Sequence, residues 1–173
     1  MALELQHNWN AWYDHGDPKR TSKSYEQTLH KICSFHTVQE FWGCYNNLPV
    51  LTTLSNKSGY HIMKTGVKPI WEDPENSGVW QLRIKKEDGV QVWKEILIGL
   101  VSGQYDAALE NFPINGVSIS NKQGEYLLNI WTHNSSENNK IPEFFLSLCP
   151  NIQPTSSPSF RCCSNLIENS KDL

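Results

Sequence analysis

The chain has 173 residues, a length that suits one globular domain with a single core. Its net charge of −3 and pI of about 6.1 argue against tight, non-specific binding to long nucleic acid. No apolar run is long enough to cross a membrane and the first ten residues carry no basic leader ahead of an apolar stretch, so a cytoplasmic, membrane-free protein is expected. Seven Trp, six Tyr and six Phe are the excess to explain, because aromatics either fill a core or stack on flat ligands.

Residues 8–14 (NWNAWYD) place Trp9 and Trp12 three apart, which an ideal strand cannot put on one face. A short kinked strand, or an element flanked by a turn, is expected there. Residues 17–24 (DPKRTSKS) read as a polar loop closed by Tyr25. A helix is predicted after Thr37, which can N-cap with Glu40 as the reciprocal half of a capping box. Val38, Phe41, Trp42 and Tyr45 form its apolar stripe. Strands are predicted at 59–64 (GYHIMK), 79–85 (VWQLRIK), 116–120 (GVSIS) and 125–132 (EYLLNIWT), the last two joined by a hairpin turn. A second helix is predicted over 89–103, with Trp93, Ile96, Leu97 and Leu100 on one side and Gly103 at its end. A third, short helix is predicted from Pro142, stopped by Pro150. These elements predict an α+β fold: a curved antiparallel sheet with about three helices on its convex face and a concave side left for a ligand. Residues 1–150 are expected to form the domain. Residues 151–173, rich in Ser and Pro, are expected to be loosely ordered.

The five Cys contain no C-x-x-C, and adjacent Cys162 and Cys163 lack zinc-ligand spacing. Five reduced thiols are expected. The six His show no H-x-x-x-H or H-E-x-x-H pairing, so neither a metal nor a cofactor is implied. No G-x-S-x-G, phosphate-binding Gly-rich loop or S-x-x-K is present, and no enzyme is expected.

Residues 66–76 (GVKPIWEDPEN) carry the chemistry. A Trp beside a carboxylate suits a flat, cationic, donor-bearing ligand: the ring face attracts the charge and the carboxylate accepts two N–H groups. Guanine offers two such donors on one edge, and a 7-methyl group makes its ring positive. The residues equally permit Trp71 to be a plain loop anchor. Asp73 and Glu75 read as solvated charges.

The segment GVKPIWED resembles the most specific stretch of the translation initiation factor 4E family, which binds the 7-methylguanosine cap of messenger RNA. LQHNWNAWY (5–13), SYEQTLHKICSFHTVQEFWGCYNNL (24–48), VWQLRI, VWKEILIGLV, NGVSIS and NIWT follow in the family's order, so the resemblance spans about residues 5–134. It implies the curved sheet with three helices and the cap slot on the concave side. It implies Trp71 and Tyr25 as the two planes of an aromatic sandwich, Glu72 as the reader of the guanine edge, and Trp131 against the methyl group. Tyr25, in SYEQ, stands where most members have Trp and resembles the second class, the 4E homologous protein, linked to repression or selective translation. Only Lys122 matches a basic position for the triphosphate. Leu127 and Val79 stand where basic residues are usual, leaving Lys19, Arg20 or Arg161 to compensate. The implied partners are scaffold or repressor proteins carrying a Tyr-x-x-x-x-Leu-apolar helix. Val38, Trp42, Glu95 and Ile98 match the contact positions, and Lys94 replaces an apolar one. Val38 and Trp42 also read as ordinary core residues.

Overall fold

A computed structural model describes residues 1–16 and 22–171. Lys19 and Arg20 lie outside the described residues. In chain order the elements are β1 (Glu4–Asp14), α1 (Ser22–Thr28), β2 (Leu29–Thr37), α2 (Val38–Asn47), β3 (Gly59–Lys64), β4 (Gly78–Lys85), α3 (Gly89–Val101), α4 (Gln104–Ala108), β5 (Ile114–Lys122), β6 (Glu125–Thr132), α5 (Lys140–Ser147), β7 (Ser159–Cys162) and α6 (Cys163–Lys171). The strands form one curved, antiparallel sheet in the order β2-β1-β3-β5-β6-β4-β7. Among the described residues no helix is long and apolar enough to cross a membrane.

Alternation along the strands sorts the two faces. Trp9, Ile62, Trp80, Leu82, Val117, Ile119, Leu128 and Ile130 turn to the helical side and build the main core with α2, α3 and α5. Met63, Val79 and Trp131 turn to the other side and form a smaller cluster with Val67, Cys163, Trp12 and Trp71. Trp9 and Trp12 therefore belong to one uninterrupted strand and face opposite ways. No kink or turn is needed, because each face has its own cluster to receive a Trp.

The three predicted helices are α2, α3 and α5. The capping box of α2 forms as the sequence implies: Glu40 N–H donates to Thr37 Oγ1 at 3.2 Å, and the Glu40 carboxylate accepts from Thr37 N–H at 3.3 Å. On α3, Val92, Trp93, Ile96, Leu97 and Leu100 are buried. Two expectations need correction. Cys33 on β2 and Cys44 on α2 meet as a disulfide, with Cα atoms 6.8 Å apart, because α2 folds back across the strand that leads into it. Cys149, Cys162 and Cys163 are free. Part of the C-terminal stretch, residues 159–171, is built into the fold: β7 pairs with β4, Phe160 packs 5.4 Å from Trp80, and α6 buries Cys163.

Candidate functional site

The loop between β3 and β4 holds its shape through two polar side chains. Asp73 Oδ2 accepts from Lys68 N–H at 2.8 Å and Asp73 Oδ1 from Glu75 N–H at 3.0 Å. Asn76 donates to the carbonyls of Lys68 (2.8 Å) and Ile70 (2.9 Å) and accepts from Asn115 at 3.0 Å. Val67 and Ile70 are buried. With the loop fixed from within, Trp71 stays half-exposed and Glu72 exposed. Asp73 and Glu75 are thus not merely solvated: Asp73 organises the loop and Glu75 pairs with His133 at 3.3 Å, just past β6.

Trp71 and Glu72 line a cavity of about 240 Å³ with Ser77, Cys162, Cys163 and Ile167. Sequence reasoning missed the last three, since nothing in their polar surroundings marks them as part of a site. Burial, then the neighbouring Cys162 and the Glu72 carboxylate, push the Cys163 thiol up to about 12. The Cys162 thiol moves the other way, held below its ordinary value first by its hydrogen bond with Ser164, 3.1 Å away.

Behind Trp71, on the concave face, lies Trp131. It is buried, and its indole N–H donates to Ser118 Oγ at 2.8 Å. Val79, opposite Trp131 on β4, is fully buried in the same cluster, so that position carries no charge. Its opposite neighbour on β7 is the exposed Arg161. Directly opposite residues share a sheet face, which puts Arg161 in the same row as Trp131, two strands or about 10 Å away.

Tyr25 is half-buried on α1, where its carbonyl accepts from Thr28 Oγ1 at 2.7 Å. It does not line the Trp71 cavity, but the next residue, Glu26, pairs with Lys68 of the Trp71 loop. That hydrogen bond holds the Lys68 ammonium above its ordinary value. The segments bearing Tyr25 and Trp71 are therefore linked. Lys122, at the end of β5, lines a separate cavity of about 560 Å³ with Lys86, Asn121 and Tyr126. There the Lys86 ammonium sits 3.8 Å over the Tyr126 ring, and desolvation lowers its pKa. Leu127 is half-buried on β6.

On the helical layer, Val38, Trp42, Glu95 and Ile98 are all half-buried, and Lys94 is exposed. Phe41 takes the core position, with Trp42 at its edge, 5.0 Å from Phe41 and 5.7 Å from Tyr45.

The family described as Eukaryotic initiation factor 4E matches residues 4–169. The chain belongs to that family. Among curated relatives it is 33% identical over 139 residues to a eukaryotic translation initiation factor NCBP from Oryza sativa subsp. japonica, covering 79% of this chain. It spans only 60% of that relative's length. Among solved structures, Ascaris suum eIF4E-3 in complex with the m7G cap is 26% identical, with a TM-score of 0.80 over 94% of this chain and 92% of that one. C. elegans eIF4E-3, solved with the 4E-binding protein Mextli and a cap analog, has the same fold: TM-score 0.84 at 23% identity, covering 97% and 96% of the two chains. The 4E family fold and the antiparallel sheet expected from the strand pattern agree.

Proposed function

We propose that this protein binds the 7-methylguanosine cap of messenger RNA and regulates translation initiation as a second-class 4E-like protein, in the cytoplasm and without catalysing a reaction. The observation that carries the reading is the loop held by Asp73 and Asn76, which offers Trp71 and Glu72 side by side next to the Trp131 floor. In this reading the positive purine stacks on Trp71, a contact worth about 2 kcal/mol when desolvated. Glu72 accepts from the ring N–H and the exocyclic amine, and Trp131 lies against the methyl group. Tyr25 supplies the second plane, carried in by α1 through the Glu26–Lys68 pair. Its smaller ring stacks less strongly than Trp, in keeping with the second class. Arg161, on the Trp131 row, and Lys122, farther along β5, are the cations offered to the triphosphate. A capped messenger RNA and a partner with a Tyr-x-x-x-x-Leu-apolar helix complete the reading. The partner would lie along α2 and α3, over Val38, Trp42, Glu95 and Ile98. The m7G cap in the Ascaris suum relative supports the ligand class.

A second reading has its own support. Val79 is uncharged, Lys122 lines a different cavity and Cys163 packs on the concave floor. Those features suit a family member that has lost the cap and kept its protein interface. Calorimetric titration with 7-methyl-GTP and with GTP separates the two. Preference for the methylated nucleotide, lost by roughly 30-fold in Trp71→Ala and reduced in Glu72→Ala, supports cap binding. Equal affinity for both nucleotides, or full retention of Trp71→Ala on immobilised 7-methyl-GTP, overturns it.

A further inference from the structure

Four neighbouring strands each place one polar side chain on the concave face: Asp14 on β1, His61 on β3, Ser118 on β5 and Trp131 on β6. All four are at most 3% exposed. The Trp131 indole N–H donates to Ser118 Oγ at 2.8 Å. That oxygen lies 2.7 Å from His61 Nδ1, and His61 Nε2 lies 2.9 Å from Asp14 Oδ2. Asp14 Oδ1 accepts from the Gly16 N–H at 3.1 Å. A carboxylate only accepts, so we assign the His61 Nε2–H as the donor to Asp14; neutral Nδ1 then accepts from the Ser118 hydroxyl, whose oxygen accepts from the indole. The order Ser, His, Asp matches a hydrolytic triad, but Ser118 is 0% exposed and its oxygen is already engaged, so it is shielded from any substrate.

Burying an Asp, a His and a Ser is costly unless each is hydrogen-bonded, whereas an apolar floor would avoid burying them and leave only the Trp131 indole N–H unpaired. What the polar chain adds is direction, because a fully satisfied network favours one geometry. The contrast lies alongside: the indole N–H of Trp12, in the same cluster, has no partner among the described residues. The far end is equally constrained. Gly16 has φ +63°, and a Cβ there would strike the backbone of Lys57 and Ser58. Gly16, two residues past the end of β1, is therefore held against the backbone of residues 57 and 58.

We propose that Asp14, His61 and Ser118 are positioning residues for Trp131. They set the direction of its indole and connect it to the base of the segment leading to Tyr25, so the preference for methylated guanine depends on them. The proposal rests on the cap-binding reading above.

The test combines two measurements on the full chain: solvent exchange of the Trp131 indole N–H by NMR in the free protein, and the affinity ratio of 7-methyl-GTP over GTP by calorimetry. In Ser118→Ala the indole hydrogen exchanges faster and the ratio falls by roughly threefold to tenfold, the loss of one hydrogen bond. Ser118→Thr, which keeps a hydroxyl, restores both. Asp14→Asn, a weaker acceptor for His61, moves both readouts the same way and serves if Ser118→Ala does not fold. An unchanged ratio in either folded variant, beside a wild type that prefers 7-methyl-GTP, overturns the relay and leaves cap binding standing. A wild type with no preference overturns cap binding, and the proposed effect on selectivity with it. Unchanged indole exchange in Ser118→Ala overturns the relay whatever the nucleotide result.

Discussion

Asp73 and Glu72 are adjacent carboxylates with opposite duties. Asp73 turns inward and accepts two backbone N–H groups, while Glu72 lies exposed at the rim of the cavity. The sequence marks both as acidic and cannot say which will be consumed by the loop, because the choice depends on where Lys68 and Glu75 place their N–H groups. The adjacent thiols Cys162 and Cys163 diverge in the same manner. Cys162 is half-exposed and its hydrogen bond with Ser164 favours the thiolate. Cys163 is buried, and both burial and the Glu72 charge disfavour it. As pH rises, Cys162 ionises first, and the thiolate is the reactive form. Iodoacetamide near pH 8 should therefore label Cys162 well ahead of Cys163 and Cys149, read by peptide mass spectrometry. Equal labelling of Cys162 and Cys163 would contradict the arrangement around Glu72.

At the scale of elements, legibility followed burial. β6 was readable because burial alternates along residues 125–130, β3 because it is a short run of β-prone residues, buried at its first five positions, and α3 because five apolar residues fall on one side. β2 was missed: as an edge strand with register shifts against β1, it exposes His30, Lys31 and Ile32 in succession. α6 was missed because it is polar and, among its described side chains, buries only Cys163 fully. The capping box of α2 was legible from four residues and yields a measurable consequence. Thr37→Ala should cost about 1 kcal/mol in urea unfolding at neutral pH. Glu40 adds a pH dependence. Its carboxyl is held below the usual carboxylate range, first by the His36 N–H; desolvation opposes this, and the His36 ring and the Thr37 N–H and hydroxyl add to the lowering. A depressed carboxyl stabilises the folded state above its unfolded pKa and loses that contribution as pH falls through the folded value. The stability gap between wild type and Glu40→Gln should thus be present at neutral pH and close in acid. A gap that persisted in acid would assign it to packing.

For the whole molecule, the unexpected result is that the C-terminal stretch completes the sheet. β7 covers residues 78–81 of β4, and Phe160 shields Trp80, which is only 1% exposed. Cys163 closes the concave cluster over Val79 and Trp131. Deleting residues 151–173 should lower the melting temperature and, by uncovering the edge of β4, produce higher oligomers in light scattering. A deletion variant that melts and elutes like the full chain would contradict a structural role for β7.

The chain from Asp14 to Trp131 joins residues 47 and 57 positions apart at the two links that meet at His61, and no local pattern announces it. Its side chains meet only when four strands pair in one alignment. Shifting β3 by a single residue would turn His61 into the apolar core and bring Ile62 to the concave side. The misaligned sheet would then hold an imidazole on the core side, between β1 and β5 where Ala11 and Val117 now flank Ile62, and take His61 away from Asp14 and Ser118. The polar row thus penalises a slipped register that an all-apolar floor would tolerate.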